Sequence, residues 1–332
     1  MAAIPPKGIY VPVPTFFVSK SASNYDPVTP AVDVSTQAKH ALHLARSGIR
    51  GLVILGSTGE AVHLTSSERT QVLKGVREEL EKAGFKDYPI LAGTATQSIV
   101  ETVQQLKEAQ DAGSQWGMCL APGYFASAVS QQGIVDWFTA VADRSPIPIL
   151  VYHYPGVSNN IVITPSTMEK LASHPNIVGC KLSHGDVADH GLIALSPNID
   201  HSKFRTFTGL GQQLLPVLTL GGAGAIDGLA AIFPKTVVRL YNLFQEEQSL
   251  AQLEKMRDLQ YKISGGEKLV VKWGTIGIKE AVSRVLGFGD KDGGRLPLTG
   301  GFPGGETEWE NWKHVMEALE AVEKTLPELE AS

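Results

Sequence analysis

A closed (β/α)8 TIM barrel, an α/β fold with additional C-terminal helices, is what this sequence predicts. Three observations lead there. Eight short β-type runs are spread along the chain, helical patterns lie between them, and no Gly-rich phosphate turn follows the first run. An open doubly wound sheet would want that turn; here the first run passes into Val13-Pro14-Thr15-Phe16-Phe17 instead.

The β-type runs cover residues 8–13, 51–55, 89–92, 115–120, 148–152, 177–182, 204–208 and 222–226. Residues 33–47 read as a helix stopped by Gly48, and 98–112 as one stopped by Gly113. Residues 66–83 open on Thr65-Ser66-Ser67-Glu68, a capping-box start. Residues 130–142, 164–173 and 212–220 continue the series. After the eighth run, 236–247, 250–264, 267–286 and 306–329 read as helices, around an irregular Gly/Pro-rich stretch at 287–305. The expected organisation is a barrel over 1–235, then the last barrel helix and a helical extension over 236–332. Barrels of about 250 residues form one domain. The Ser-, Pro- and Asn-rich loop at 18–31 is expected to be exposed.

Composition narrows the partners. The chain has 332 residues, 43% hydrophobic and 19% charged, with 29 basic against 34 acidic side chains and a net charge of −5. No basic block stands out, so nucleic acid and anionic membrane are poor partners. Two cysteines, Cys119 and Cys180, form neither a disulfide framework nor a zinc-type spacing. No apolar run reaches about 18 residues. The N-terminal stretch lacks the composition of a signal or transit peptide. A cytoplasmic enzyme is expected, with the mitochondrion as the alternative. No metal is expected, because His, Asp and Glu do not cluster at ligand spacing.

In such a barrel the chemistry sits at the carboxyl ends of the strands. The second run ends in Gly56-Ser57-Thr58-Gly59-Glu60, the fourth in Ala121-Pro122-Gly123-Tyr124 and the fifth in Tyr152-His153-Tyr154-Pro155. The sixth ends in Lys181, and the seventh and eighth near Gly209 and Ile226. The second motif is no Walker loop, since Gly-Lys-Ser/Thr is missing. Its two hydroxyls and exposed N–H groups suit a carboxylate. Read as scaffolding alone, it is a strand-to-helix turn with glycines for positive φ.

Two lysines compete for a chemical role. Lys181 closes the apolar run Asn176–Cys180. Burial there would lower its pKa and leave a neutral amine able to attack a carbonyl. The plain alternative is a snorkelling side chain. Lys279 lies in Ile276-Gly277-Ile278-Lys279-Glu280, within a helix that follows the eighth strand and is expected outside the barrel. Placement favours Lys181. Cys180, its neighbour on the strand, should then face the helices as a small hydrophobe, as should Cys119. Tyr152 is either rim packing or a proton carrier, and His153 and His184 flank the site.

Gly56–Glu60, then Tyr152–Pro155, then Val178–Lys181, then Gly221–Ile226, in that order and spacing, resembles the dihydrodipicolinate synthase / N-acetylneuraminate lyase family over residues 8–298. The resemblance implies a (β/α)8 barrel and a Schiff base between a barrel lysine and pyruvate or another 2-oxo acid, with no cofactor. It also implies a homotetramer assembled from dimers. It assigns the Schiff-base lysine to Lys181 and the tyrosine that moves the aldol proton to Tyr152. Ser57 and Thr58 hold the 2-oxo acid carboxylate, with Ser57 in the proton relay. Tyr124 completes that relay across a dimer interface, and Gly209 and Ile226 line the pocket with backbone. Lys279 matches no catalytic position.

Two departures shape the expected reaction. Synthase members place an arginine shortly after Tyr-x-x-Pro to clamp the second substrate's carboxylate. Here no arginine occurs between Arg144 and Arg205. Gly123 stands where synthases usually carry a second tyrosine. The lysine context and Tyr152–Gly156 resemble eukaryotic 4-hydroxy-2-oxoglutarate aldolases and fungal 2-keto-3-deoxy-hexulosonate aldolases. The expected reaction is cleavage of a 4-hydroxy-2-oxo acid to pyruvate and an aldehyde. Residues 156–160, Ser183 and His184 are expected to shape the aldehyde side. The alternatives are dihydrodipicolinate synthase, condensing pyruvate with aspartate semialdehyde, and a non-catalytic 2-oxo acid-binding barrel. A nucleotide-binding oxidoreductase is a distant third, since no dinucleotide fingerprint is present.

Overall fold

The computed structural model describes residues 2–247 and 249–328. Its centre is a closed barrel of eight parallel strands in sequential order. These are β1 (Gly8–Pro12), β2 (Gly51–Ile54), β3 (Ile90–Thr94), β4 (Trp116–Leu120), β5 (Ile149–His153), β6 (Ile177–Leu182), β7 (Arg205–Thr208) and β8 (Gly224–Ile226). Each lies within two residues of its expected ends.

The helical layer is formed by α1 (Val34–Arg46), α2 (Ser66–Lys82), α3 (Ile99–Asp111), α4 (Gln131–Ala142), α5 (Pro165–Ala172), α6 (Val187–Ala194), α7 (Leu214–Thr219) and α8 (Pro234–Gln245). Local chemistry starts several of them. Thr65 and Glu68 close the expected capping box on α2, and Ser98, Ser130 and Thr164 cap α3, α4 and α5 with their hydroxyls. Sequence reading places no helix between β6 and β7, yet α6 is there. It is short, carries Gly191 in its middle and so shows little periodicity. Asp186 starts it by accepting the N–H groups of Ala188 and Asp189.

Strand alternation divides the apolar residues into two cores. Tyr10, Val53, Leu91, Met118, Leu150, Tyr152 and Phe207 fill the barrel interior. Their strand neighbours, including Cys119, Val151 and Cys180, pack against the helices. Both cysteines face outward as expected, and burial pushes each thiol up to about 12. They are inert spacers.

The C-terminal helices depart most from expectation. The break expected at Gly265-Gly266 is absent, and α9 (Leu250–Leu286) runs through it. Gly266 serves close packing instead: a Cβ there would meet Leu319 at 2.6 Å and Leu229 at 2.9 Å. The kink falls at Gly274 (φ 53, ψ −135). The final helix, α10 (Glu306–Glu323), packs on α9; it is shorter than the expected 306–329, and residue 329 lies outside the described residues. The loop at 18–31 is largely exposed, as expected. Among the described residues no helix is long and apolar enough to cross a membrane.

Candidate active site

The loop after β2 is held under strain. Its glycines are not the residues with positive φ: Leu55 (φ 64) and Glu60 (φ 53) are. Left-handed geometry at a non-glycine residue costs about 1–3 kcal/mol and persists only where surroundings enforce it. Thr15 Oγ1 donates to Gly59 O at 2.6 Å, and the Lys279 ammonium donates to Glu60 Oε1 at 2.8 Å. Thr275 on α9 donates to Ser57 O at 3.4 Å. Three contacts from outside the loop thus fix Ser57 and Thr58 over the barrel mouth.

This gives the rival lysine a different job. Lys279 and Glu60 are 5% and 1% exposed at their side chains, and the ammonium also sits 4.4 Å from the centre of the Phe17 ring. Burial pushes the Lys279 ammonium down, while Glu60 pulls it back up. Lys279 is therefore a tie between α9 and the loop. Removing one member of a buried pair strands the other charge. Lys279→Met is expected to lower the unfolding free energy by roughly 3–5 kcal/mol. Adding Glu60→Gln should recover part of that loss. Equilibrium denaturation of the two variants checks it, and equal stability of the single variant and the parent would contradict the tie.

Lys181 faces the barrel interior and is 3% exposed. It is paired in register with Tyr152 on β5 and with Phe207 on β7. Its Nζ lies 3.4 Å from Tyr152 Oη and 4.4 Å from the centre of that ring. Burial lowers the Lys181 ammonium to about 7, against an opposing pull from Asp227. The amine is thus substantially neutral near neutral pH. Tyr152 Oη lies 3.1 Å from Ser57 Oγ. Burial raises this phenol to about 12, eased by hydrogen bonds from Ser57 and Ser183, so it holds its proton. The Tyr152 phenol thus lies within 3.4 Å of both the Lys181 amine and the Ser57 hydroxyl.

These groups open into a cavity of about 570 Å³, lined by Ser57, Thr58, Tyr152, Lys181, Gly209 and Ile226 among others. Six of the seven expected residues share it. Gly209 is needed for space, because a Cβ there would come within 1.8 Å of Ser183 Oγ and 2.9 Å of Lys181 Cε. Tyr124 is the one apart: it is 71% exposed and stacks edge-on with the exposed Phe125. Its N–H donates to Gln97 Oε1 at 3.1 Å. Gln97 lines a second cavity of about 230 Å³ that shares Ser57, Tyr152 and Val157.

The expected aldehyde side is narrower than 156–160. Val157, Ser183 and His184 line the cavity. Ser158 instead donates to Tyr154 O at 2.8 Å, and Asn159 donates to Gly123 O at 3.0 Å, bonds that hold the turn. His153 points outward, where Nε2 accepts the Ile163 N–H at 3.2 Å; burial lowers its imidazole to about 4.

Sequence reading missed the contribution of α9. Val270, Trp273, Gly274, Thr275 and Ile278 roof the cavity, so this helix borders the mouth and is not remote from it. Glu267, from the same helix, also lines the cavity, and Asp227 follows β8 beneath it. A glutamate opening the apolar segment 267–286 was the available signal.

The family model described as "Dihydrodipicolinate synthetase family" matches residues 23–310. The chain is 37% identical to the "Probable 4-hydroxy-2-oxoglutarate aldolase, mitochondrial" of Emericella nidulans, over 86% of this chain and 87% of that one. It is 35% identical to the L-threo-3-deoxy-hexylosonate aldolase of Hypocrea jecorina, over 86% and 88%. Among solved structures, the chloride-inhibited dihydrodipicolinate synthase of Acinetobacter baumannii complexed with pyruvate superposes with a TM-score of 0.80. It is 25% identical and covers 94% of this chain and 99% of that one.

Proposed function

Because the chain belongs to the dihydrodipicolinate synthetase family, we propose that it is a class I aldolase that cleaves a 4-hydroxy-2-oxo acid to pyruvate and an aldehyde. The observation that carries the reading is the buried Lys181 amine 3.4 Å from Tyr152 Oη, itself 3.1 Å from Ser57 Oγ. Lys181 attacks the C2 carbonyl, water leaves, and an iminium forms. Ser57 and Thr58 hold the C1 carboxylate. Tyr152 passes its proton toward Ser57 and takes the C4 hydroxyl proton as the C3–C4 bond breaks. The bonding electrons flow into the iminium, giving an enamine. The aldehyde departs, the enamine is protonated at C3, and water releases pyruvate from the lysine.

Tyr124 is assigned to the same relay in a neighbouring copy. Tyr124 and Phe125 project together from the surface, at 71% and 69% exposure, beside the smaller cavity that reaches Ser57 and Tyr152. A homotetramer built from such dimers fits this placement.

Cleavage is favoured over synthase condensation by the chemistry of the cavity wall. Among the described residues it carries, apart from Lys181, no lysine or arginine to clamp a second carboxylate, and no arginine lies between Arg144 and Arg205 in the sequence. The relatives named as aldolases point the same way. The test is pyruvate release from a panel of four- to six-carbon 4-hydroxy-2-oxo acids, set beside condensation of pyruvate with aspartate semialdehyde. Cleavage of at least one panel member faster than the condensation is expected. Faster condensation would turn the reading to the synthase, and no turnover of either kind would turn it to a binding protein.

A further inference from the structure

An acid pair lies behind the lysine that no step above uses. Asp227 is 0% and Glu267 2% exposed. Their carboxyls converge on Gly211, where a Cβ would lie 2.7 Å from Glu267 Oε1 and 2.8 Å from Asp227 Oδ1. Asp227 Oδ2 and Glu267 Oε1 are buried without a hydrogen-bonding side chain or backbone group opposite them, while Asp227 Oδ1 accepts the Leu229 N–H at 3.3 Å. Among the described residues no cation forms an ion pair with either. Two buried carboxyls in contact cannot both ionise, so they hold one proton and one negative charge between them. Burial, together with the charge on Asp227, raises Glu267 well above the usual carboxylate range, which puts the proton on Glu267.

The backbone strip Gly209–Gly211 separates this pair from the lysine. A Cβ on Gly209 would lie 2.9 Å from Lys181 Cε; one on Gly211 would lie 2.7 Å from Glu267 Oε1 and 2.8 Å from Asp227 Oδ1. The other titratable groups facing Lys181 from neighbouring elements are Tyr152, Tyr154 and His184. Burial keeps both phenols raised and the imidazole lowered, so all three are neutral at neutral pH.

We infer that Asp227 and Glu267 act as a single-charge carboxyl pair that serves as the buried counter-ion of the iminium at Lys181. Imine formation takes up one proton: the neutral amine and the carbonyl give water and a nitrogen that carries a positive charge. That charge arises in a site whose substrate carboxylate is already held by Ser57 and Thr58. The pair's carboxylate opposes it across the glycine strip, in a buried interior whose low polarisability screens Coulomb attraction less than water does. Glu267, with its proton, presents a donor to Asp227 and holds it in place. Both are positioning residues, since neither touches the reacting atoms.

The inference rests on Lys181 forming the imine, and the experiment separates the two. Borohydride trapping with pyruvate, followed by peptide mapping, comes first on the parent protein; absence of an adduct on Lys181 overturns the imine itself. With that adduct present, the acid limb of kcat/KM and the imine occupancy at saturating pyruvate are compared for Asp227→Asn and Glu267→Gln. Asp227→Asn is expected to move the limb to lower pH by about one unit and lower occupancy about tenfold. Glu267→Gln, which keeps a donor facing Asp227, is expected to move both in the same direction but clearly less than Asp227→Asn does. An unmoved limb in Asp227→Asn, or equal shifts in the two variants, overturns the counter-ion. Should Asp227→Asn fail to fold, infrared difference spectra of parent protein with and without pyruvate decide. A neutral carboxyl band that shifts on imine formation and vanishes in Glu267→Gln supports the pair, and its absence overturns it.

Discussion

Lys181→Arg loses turnover, with kcat/KM down by about 10⁴-fold or more, and gives no borohydride-trapped adduct. Arginine keeps a cation at the end of β6 but never offers a neutral nitrogen. The variant therefore isolates nucleophilicity from charge. The parent should show the matching pH dependence. Burial lowers Lys181 to about 7, and the protonated amine cannot attack. As pH rises through about 7 the amine loses its proton, so kcat/KM rises and then levels. A flat profile across that window, or an arginine variant that still turns over, would remove Lys181 from the role. An adduct found on Lys279 would be equally damaging, because that side chain is tied to Glu60 at 2.8 Å.

Tyr152→Phe separates imine formation from proton transfer. The substitution keeps the ring under the Lys181 amine and removes only the oxygen 3.1 Å from Ser57 and 3.4 Å from Lys181. The expected outcome is kcat reduced by about 10²–10⁴-fold with KM little changed, the range for loss of one acid–base group. Trapping with pyruvate should persist, since the amine remains. The phenol is protonated throughout the working range, with burial holding it near 12, so the loss should be similar at every pH from mildly acidic to mildly alkaline. Lost trapping with turnover preserved would reverse the assignment.

The barrel was readable from the sequence because its signals are local. Strand runs, capping hydroxyls and stop glycines sit within a few residues of the structure they dictate, and all eight strands fall where expected. The carboxyl-end rule then placed Ser57, Tyr152 and Lys181 around one cavity before any distance was known. What the sequence concealed depends on long-range packing. The strain at Leu55 and Glu60 is imposed by Thr15 and Lys279, far away in the chain. Gly265-Gly266 spelled a helix stop, but Leu229 and Leu319 press against Gly266 and the helix continues. Asp227 and Glu267 are 40 positions apart, and only the return of α9 over the barrel mouth brings them together.

Lys181 and Tyr152 are direct partners across neighbouring strands, joined by the same ladder that closes the barrel. Their mutual distance is therefore a property of the sheet, while Val157 and His184, which line the same cavity, hang from segments outside it. Those loops can be exchanged without moving nucleophile relative to proton carrier. The molecule is separable into a sheet-borne engine for the 2-oxo acid half of a substrate and a loop-borne nozzle for the rest. A change of substrate range in this scaffold is thus a loop graft, and the hydroxylated chain it accepts can drift under selection while the imine chemistry stays fixed.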